Sequence, residues 1–144
     1  MQKVSLRALV IMAPERREKL VRQLKSFGVD LILAGTRQEA RRFFEQQPNV
    51  GLVLAETTLP DGDWKGVLED VARSGLQAGV VVCARLDDFP LWLEALERGC
   101  QDVLAEPYAK DELHRLLNSA AGGPMVRLHR PVVLDRRRAA GGPH

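Results

Sequence analysis

The 144-residue chain predicts an α/β fold, with strands and helices alternating along one domain. Three observations carry that reading. Short apolar runs at 8–12, 29–34, 50–55, 79–83 and 103–105 suit strands buried on both faces. The stretches between them place apolar residues at helical spacing. The links are short, so five βα units imply a parallel sheet with helices on both faces, a three-layer sandwich.

Each element has its own signals. After the first strand, Pro14 takes a first-turn position, with Glu15 and Glu18 matching the positive end of the helix dipole. Leu20, Leu24 and Phe27 continue at helical spacing, with Val21 flanking them, until Gly28 stops the helix. Leu31, Ile32 and Leu33 form the centre of the second strand. Thr36 and Glu39 frame a capping box for a helix that turns Ala40, Phe43 and Phe44 inward and ends before Pro48. Leu59-Pro60-Asp61-Gly62 is turn chemistry after the third strand. A helix through Val67, Leu68 and Val71 then runs to Gly75. The fourth helix spans 91–98, closed by Gly99, and the fifth spans 111–120, using Leu113, Leu116 and Leu117. In such sheets chemistry gathers beyond the carboxyl ends of the strands, here Met12, Glu56, Cys83 and Glu106.

The chain has 45% hydrophobic and 28% charged residues, a balance typical of globular domains. No apolar run approaches the roughly 20 residues of a membrane span. The first residues lack signal-peptide features, so a cytoplasmic location is expected. From Ala121 onward five arginines (Arg127, Arg130, Arg136, Arg137, Arg138) face only Asp135, a charge of +4. Since the chain totals +2, the body carries −2. The basic character therefore belongs to a Pro/Gly/Arg-rich extension at 121–144, set off by Gly122-Gly123-Pro124 from a domain at 1–120. That extension reads as irregular, or as a stub of strand at 125–128. Cys83 and Cys100 make no disulfide framework, and His114, His129 and His144 lack metal-ligand spacing.

Four segments carry a resemblance: Leu9-Val10-Ile11-Met12; Val53 through Pro60; Val80 through Ala84; and Gly99 through Pro107. In order and spacing, the stretch from about Ser5 to Ala120 resembles the receiver domain of two-component response regulators. The resemblance implies a flavodoxin-like (βα)5 sandwich with strand order 2-1-3-4-5. It also implies a phospho-acceptor aspartate, an acidic pair binding Mg²⁺, a Ser or Thr hydroxyl and a lysine, which together stabilise a transferring phosphoryl group.

Every one of those positions is changed. The metal-binding positions fall on Met12 and Ala13, or on Ile11 and Met12 in the other register, and neither pair offers a carboxylate. The acceptor position is Glu56, whose extra methylene carries the carboxylate about 1.5 Å outward. The hydroxyl position is Cys83, a poor hydrogen-bond donor. The lysine position is Glu106, a reversal of charge. The family's coupling of a hydroxyl to an aromatic ring on the fifth strand maps to Cys83 and Val103, and Tyr108 lies too far along to replace the ring simply. The expectation is a pseudo-receiver without enzymatic activity or cofactor, in which Mg²⁺ binding is not expected.

Three readings of Glu56 follow. It imitates a phosphorylated aspartate, joins Glu106 and a counter-charge in a structural cluster with Arg85 the nearest plausible cation, or is simply a carboxylate left at a solvent-exposed strand end. Cys83 and Cys100 read as small packed side chains, and Trp64 either roofs the site or caps the third helix. Leu91, Trp92 and Leu93, with Tyr108, are candidate contact residues. Trp92 belongs on the inward face, which leaves Leu91 or Leu93 outward, and receivers often pair through the fourth helix, fifth strand and fifth helix. The partners expected are signalling proteins and a second copy of the chain, with no membrane and no nucleic acid read by this domain. Three alternatives stand beside this one. The first is phosphorylation at Asp61 or Asp63. The second is a small-molecule sensor site bordered by Met12, Trp64 and Cys83. The third is the front of a DNA-binding regulator.

Overall fold

The structure, a computed structural model, describes residues 6–46, 49–85 and 88–120. Five strands make one sheet: β1 (Arg7–Ile11), β2 (Asp30–Ala34), β3 (Leu52–Glu56), β4 (Gly79–Ala84) and β5 (Asp102–Ala105). All pairs are parallel and the order is β2-β1-β3-β4-β5. This is the flavodoxin-like arrangement that the resemblance implied.

Strand alternation divides the core in two, because successive side chains point to opposite faces of a sheet. Leu9, Ile11, Val53, Ala55, Val80, Val82 and Val103 pack against α2 (Arg37–Gln46), α3 (Trp64–Ser74) and α4 (Phe89–Glu97). Ala8, Val10, Leu52, Leu54, Val81, Cys83 and Leu104 face α1 (Pro14–Ser26) and α5 (Lys110–Ala120). Each fully buried leucine in these layers contributes about 2 kcal/mol of transfer free energy. β2 lies at the sheet edge, and its Leu33 is one of two large apolar side chains that are exposed among the described residues.

The helix ends follow local chemistry, with two departures from expectation. Pro14 opens α1, and Gly28 turns the chain beyond it at φ 82°. The capping box at α2 is only half formed. The Glu39 amide donates to the Thr36 hydroxyl at 3.1 Å, but the Glu39 carboxylate accepts from the Gly35 amide instead of Thr36. Asp61 accepts from the free amides of Arg37 and Gln38 at 2.8 and 3.0 Å, so a distant turn completes the cap. α4 begins at Phe89, two residues before the expected start. Asp88 caps it by accepting from the Leu91 amide, and Pro90 supplies a preset φ in the first turn. Between β3 and α3, Thr58–Leu59 and Gly62–Asp63 form a short antiparallel ribbon around the Pro60-Asp61 turn. The expected extension at 121–144, its strand stub at 125–128 and Pro48 lie outside the described residues.

Candidate functional site at the carboxyl edge of the sheet

Alternation also aims the site. Met12 and Cys83 share the α1/α5 side of the sheet with Leu54 and Leu104. Glu56 follows Leu54 by two positions and Glu106 follows Leu104 by two, so both carboxylates emerge on that side. Cys83 stands directly opposite Glu56 in the ladder. Met12 and Cys83 are each 1% exposed and fill the floor.

The cation between the carboxylates is Arg16. As the third residue of α1, it projects back over the strand ends, as helical side chains do. Its Nε lies 2.8 Å from Glu56 Oε2 and its Nη2 lies 3.1 Å from Glu106 Oε2. The Nη2 contact is a hydrogen bond. The Nε contact is ionic, its N–H turned away from the straight line to the oxygen. Glu56 Oε1 accepts from the Ala13 amide at 3.2 Å, in the turn before α1. The longer glutamate side chain thus reaches across to the end of β1. Arg17 donates to the Met12 carbonyl at 3.1 Å and pins the same turn.

The carboxylate pair therefore has its counter-charge, but from α1 and not from Arg85. Arg85 is exposed on the loop after β4. The spacing of strand ends favoured a residue close to Cys83 in sequence, whereas the helix start lies closer in space. Arg16 carried no motif signal and was missed. Its position, in the first turn of the helix that follows β1, was the available clue.

Burial pushes the Cys83 thiol well above its ordinary range, and the nearby charges of Glu56 and Glu106 push it further. Burial also raises Cys100, to about 11. Both thiols are free and buried, in keeping with packed side chains. Asp61 and Asp63 are both occupied as helix caps, Asp63 accepting from the Lys65 and Gly66 amides at 3.1 Å. Trp64 is the first residue of α3 and is 4% exposed. It lines an open cleft of about 680 Å³ above Glu56, together with Arg16, Asp63, Lys65 and Leu91.

Two candidate contact residues need correction. Trp92 and Tyr108 are 9% and 8% exposed and belong to the core, because each ring meets a packed apolar layer. Leu91 is partly buried, and Leu93, at 41%, is the outward residue of that run. Tyr108 instead closes the floor of the site. Burial raises its phenol above the ordinary range, and Cys83 and Glu106 add to the effect. Its hydroxyl is buried without a hydrogen-bond partner among the described residues.

A receiver-type magnesium site does not fit this donor set. The end of β1 supplies Ile11, Met12 and Ala13, with no carboxylate, and a guanidinium already stands between Glu56 and Glu106. Among the described residues, no group of three His, Cys, Asp or Glu side chains is placed to hold a metal ion. None of the helices described is long and apolar enough to cross a membrane.

No family model matches the chain. One curated relative is the chemotaxis protein CheY of Bacillus subtilis, 22% identical over 81 residues, which cover 56% of this chain and 66% of that protein. Solved structures align over nearly their whole length. The receiver domain of the Francisella response regulator 1452 gives a TM-score of 0.70 at 20% identity, covering 81% of this chain and 97% of that one. A response regulator receiver domain protein from Clostridium thermocellum gives 0.72 at 18%, covering 90% and 98%. The receiver domain of the histidine kinase PA1611 from Pseudomonas aeruginosa, solved with magnesium coordinated in its active-site cleft, gives 0.69 at 21%, covering 82% and 98%. Strand order, the layering of helices and these alignments agree: the chain has the fold of a response-regulator receiver domain.

Proposed function

We propose that this chain is a pseudo-receiver, a signalling module that acts through protein contacts without being phosphorylated. The observation that carries the reading is Arg16, held between Glu56 and Glu106 where a receiver's chemistry would take place. Phosphoryl transfer of this kind depends on a metal and a cation aimed at the migrating oxygens. Here Arg16, the cation between the strand ends, is spent on two carboxylates of the protein itself. An incoming phosphoryl group would meet Glu106 in place of an ammonium, and like charges so close oppose it.

The Arg16 pairing also favours a structural role for Glu56 over imitation of a phosphoaspartate, since its charge is matched internally. The caps made by Asp61 and Asp63 count against moving the phosphorylation to either residue. Partners on this reading are signalling proteins and a second copy of the chain, meeting the surface of α4, β5 and α5, where Leu93 is exposed.

The direct test is incubation with Mg²⁺ and acetyl phosphate, followed by intact-protein mass measurement and titration calorimetry with Mg²⁺ alone. The expected outcome is unchanged mass and no saturable heat. Arg16→Ala should behave the same way, because removing the guanidinium restores no carboxylate at Met12 or Ala13. A stable phosphoryl adduct on the wild-type chain would overturn the proposal.

A further inference from the structure

A second cleft, of about 600 Å³, opens on the other side of Glu106, between α1 and the loop joining β5 to α5. Its volume lies within the range of small-molecule sites. Lys19, Arg22 and Gln23 line one wall, Arg85 and Glu106 border the other, and Pro107 with Tyr108 supplies the least polar part of the lining. Three cations therefore face one carboxylate, and that carboxylate is already paired with Arg16 at 3.1 Å. Among the described residues neither Lys19 nor Arg85 is ion-paired. Arg22 is paired to Glu18 at 3.2 Å, with both side chains more than two-thirds exposed, an arrangement that a competing anion displaces at little cost.

The wall is also fixed in place. The Gln23 amide donates to the Tyr108 carbonyl at 2.9 Å, tying α1 to the loop across the cleft floor. Lys19, Arg22 and Gln23 stand three and four residues apart, on one face of the helix. Surplus positive charge, an apolar floor and a pinned wall together define a recognisable ligand chemistry. We infer that this cleft binds a small organic anion, a phosphate or carboxylate carried on an apolar body, with Lys19 and Arg85 gripping the charge and the Pro107-Tyr108 floor taking the body. The inference does not depend on the pseudo-receiver reading, since the cleft lies outside the Arg16 cluster and shares only Glu106 with its ion pairs.

The experiment is an amide chemical-shift titration of the whole chain with four probes at low salt. Phenyl phosphate and benzoate carry both features, inorganic phosphate carries only the charge and phenol only the body. Phenyl phosphate, benzoate or both should bind saturably, with a dissociation constant of about 1 mM or tighter, and the shifts should cluster at residues 19–23, 85, 106 and 108. Stronger binding of one of the two identifies the headgroup. Inorganic phosphate and phenol should bind more weakly than the preferred probe. The double variant Lys19→Ala/Arg85→Ala, at two exposed positions, should keep the wild-type melting temperature and weaken binding about tenfold, as expected for two lost charge contacts. The proposal is overturned by absence of saturable shifts, by inorganic phosphate or phenol matching the organic anions, or by unchanged affinity in the double variant.

Discussion

Arg16 and Tyr108 are the residues on which the site turns. Arg16→Ala leaves two carboxylates facing each other without their cation, and should cost about 1–2 kcal/mol, because the pair is only partly buried. Adding Glu56→Gln should restore part of that loss, and chemical denaturation of the four members of this cycle measures the coupling. Additive effects would mean that the ion pair contributes nothing. Tyr108→Phe removes a buried hydroxyl that lacks a partner. Desolvating such a group without compensation is unfavourable, so the variant should be as stable as the wild type or gain about 1 kcal/mol, a rise of a few degrees in melting temperature. A clear destabilisation would show that the hydroxyl has a partner in solution.

Among the elements, α2 and α3 are joined by the most deeply buried charge in the described chain. Asp70, on α3, is 4% exposed and accepts from Arg37 Nε and Nη2, both at 3.0 Å, with Arg41 3.6 Å away. The Arg37 side chain lies over Gly62 and Gly66, where a Cβ would collide with it, so two glycines make room for the pair. Arg37→Ala strands the aspartate and should cost about 3 kcal/mol, read from a urea midpoint. The Asp61 cap adds a pH dependence at the same end of α2. Burial works against its ionisation, but hydrogen bonds from the Arg37 and Gln38 amides outweigh that and hold its carboxyl below the usual range. A depressed folded pKa contributes stability above the unfolded value, near 4, and loses it as pH falls through the folded one. The melting-temperature gap between wild type and Asp61→Asn should therefore be widest at neutral pH and close on acidification. A constant gap would assign the effect to something other than the ionised cap.

For the molecule as a whole, the question is which surface meets a partner. With Trp92 and Tyr108 in the core, the α4–β5–α5 face presents Leu93 as its exposed large apolar residue. If copies pair through this face, sedimentation should show a concentration-dependent dimer, and Leu93→Glu should sediment as a monomer with unchanged melting temperature. A variant that still dimerises would move the contact elsewhere.

The architecture was legible because burial on both faces, helix-stop glycines and short links each follow from local chemistry. Gly28, Gly75 and Gly99 all adopt positive φ at or just beyond the ends of the helices they were expected to stop. The carboxyl ends of the strands, near Met12, Glu56, Cys83 and Glu106, were legible too, since each apolar run stops there. Helix boundaries near Asp88 and Thr36 were less so, because caps recruit side chains by distance, and Asp61 reaches α2 from another loop. Local sequence pattern was enough to set the layered sheet and to place Met12 and Ala13, neither of them a carboxylate, just after β1. Tertiary structure alone decided that Arg16 neutralises Glu56 and Glu106, because an ion pair forms between the charges that folding brings within 3 Å or so, not between those nearest in the chain.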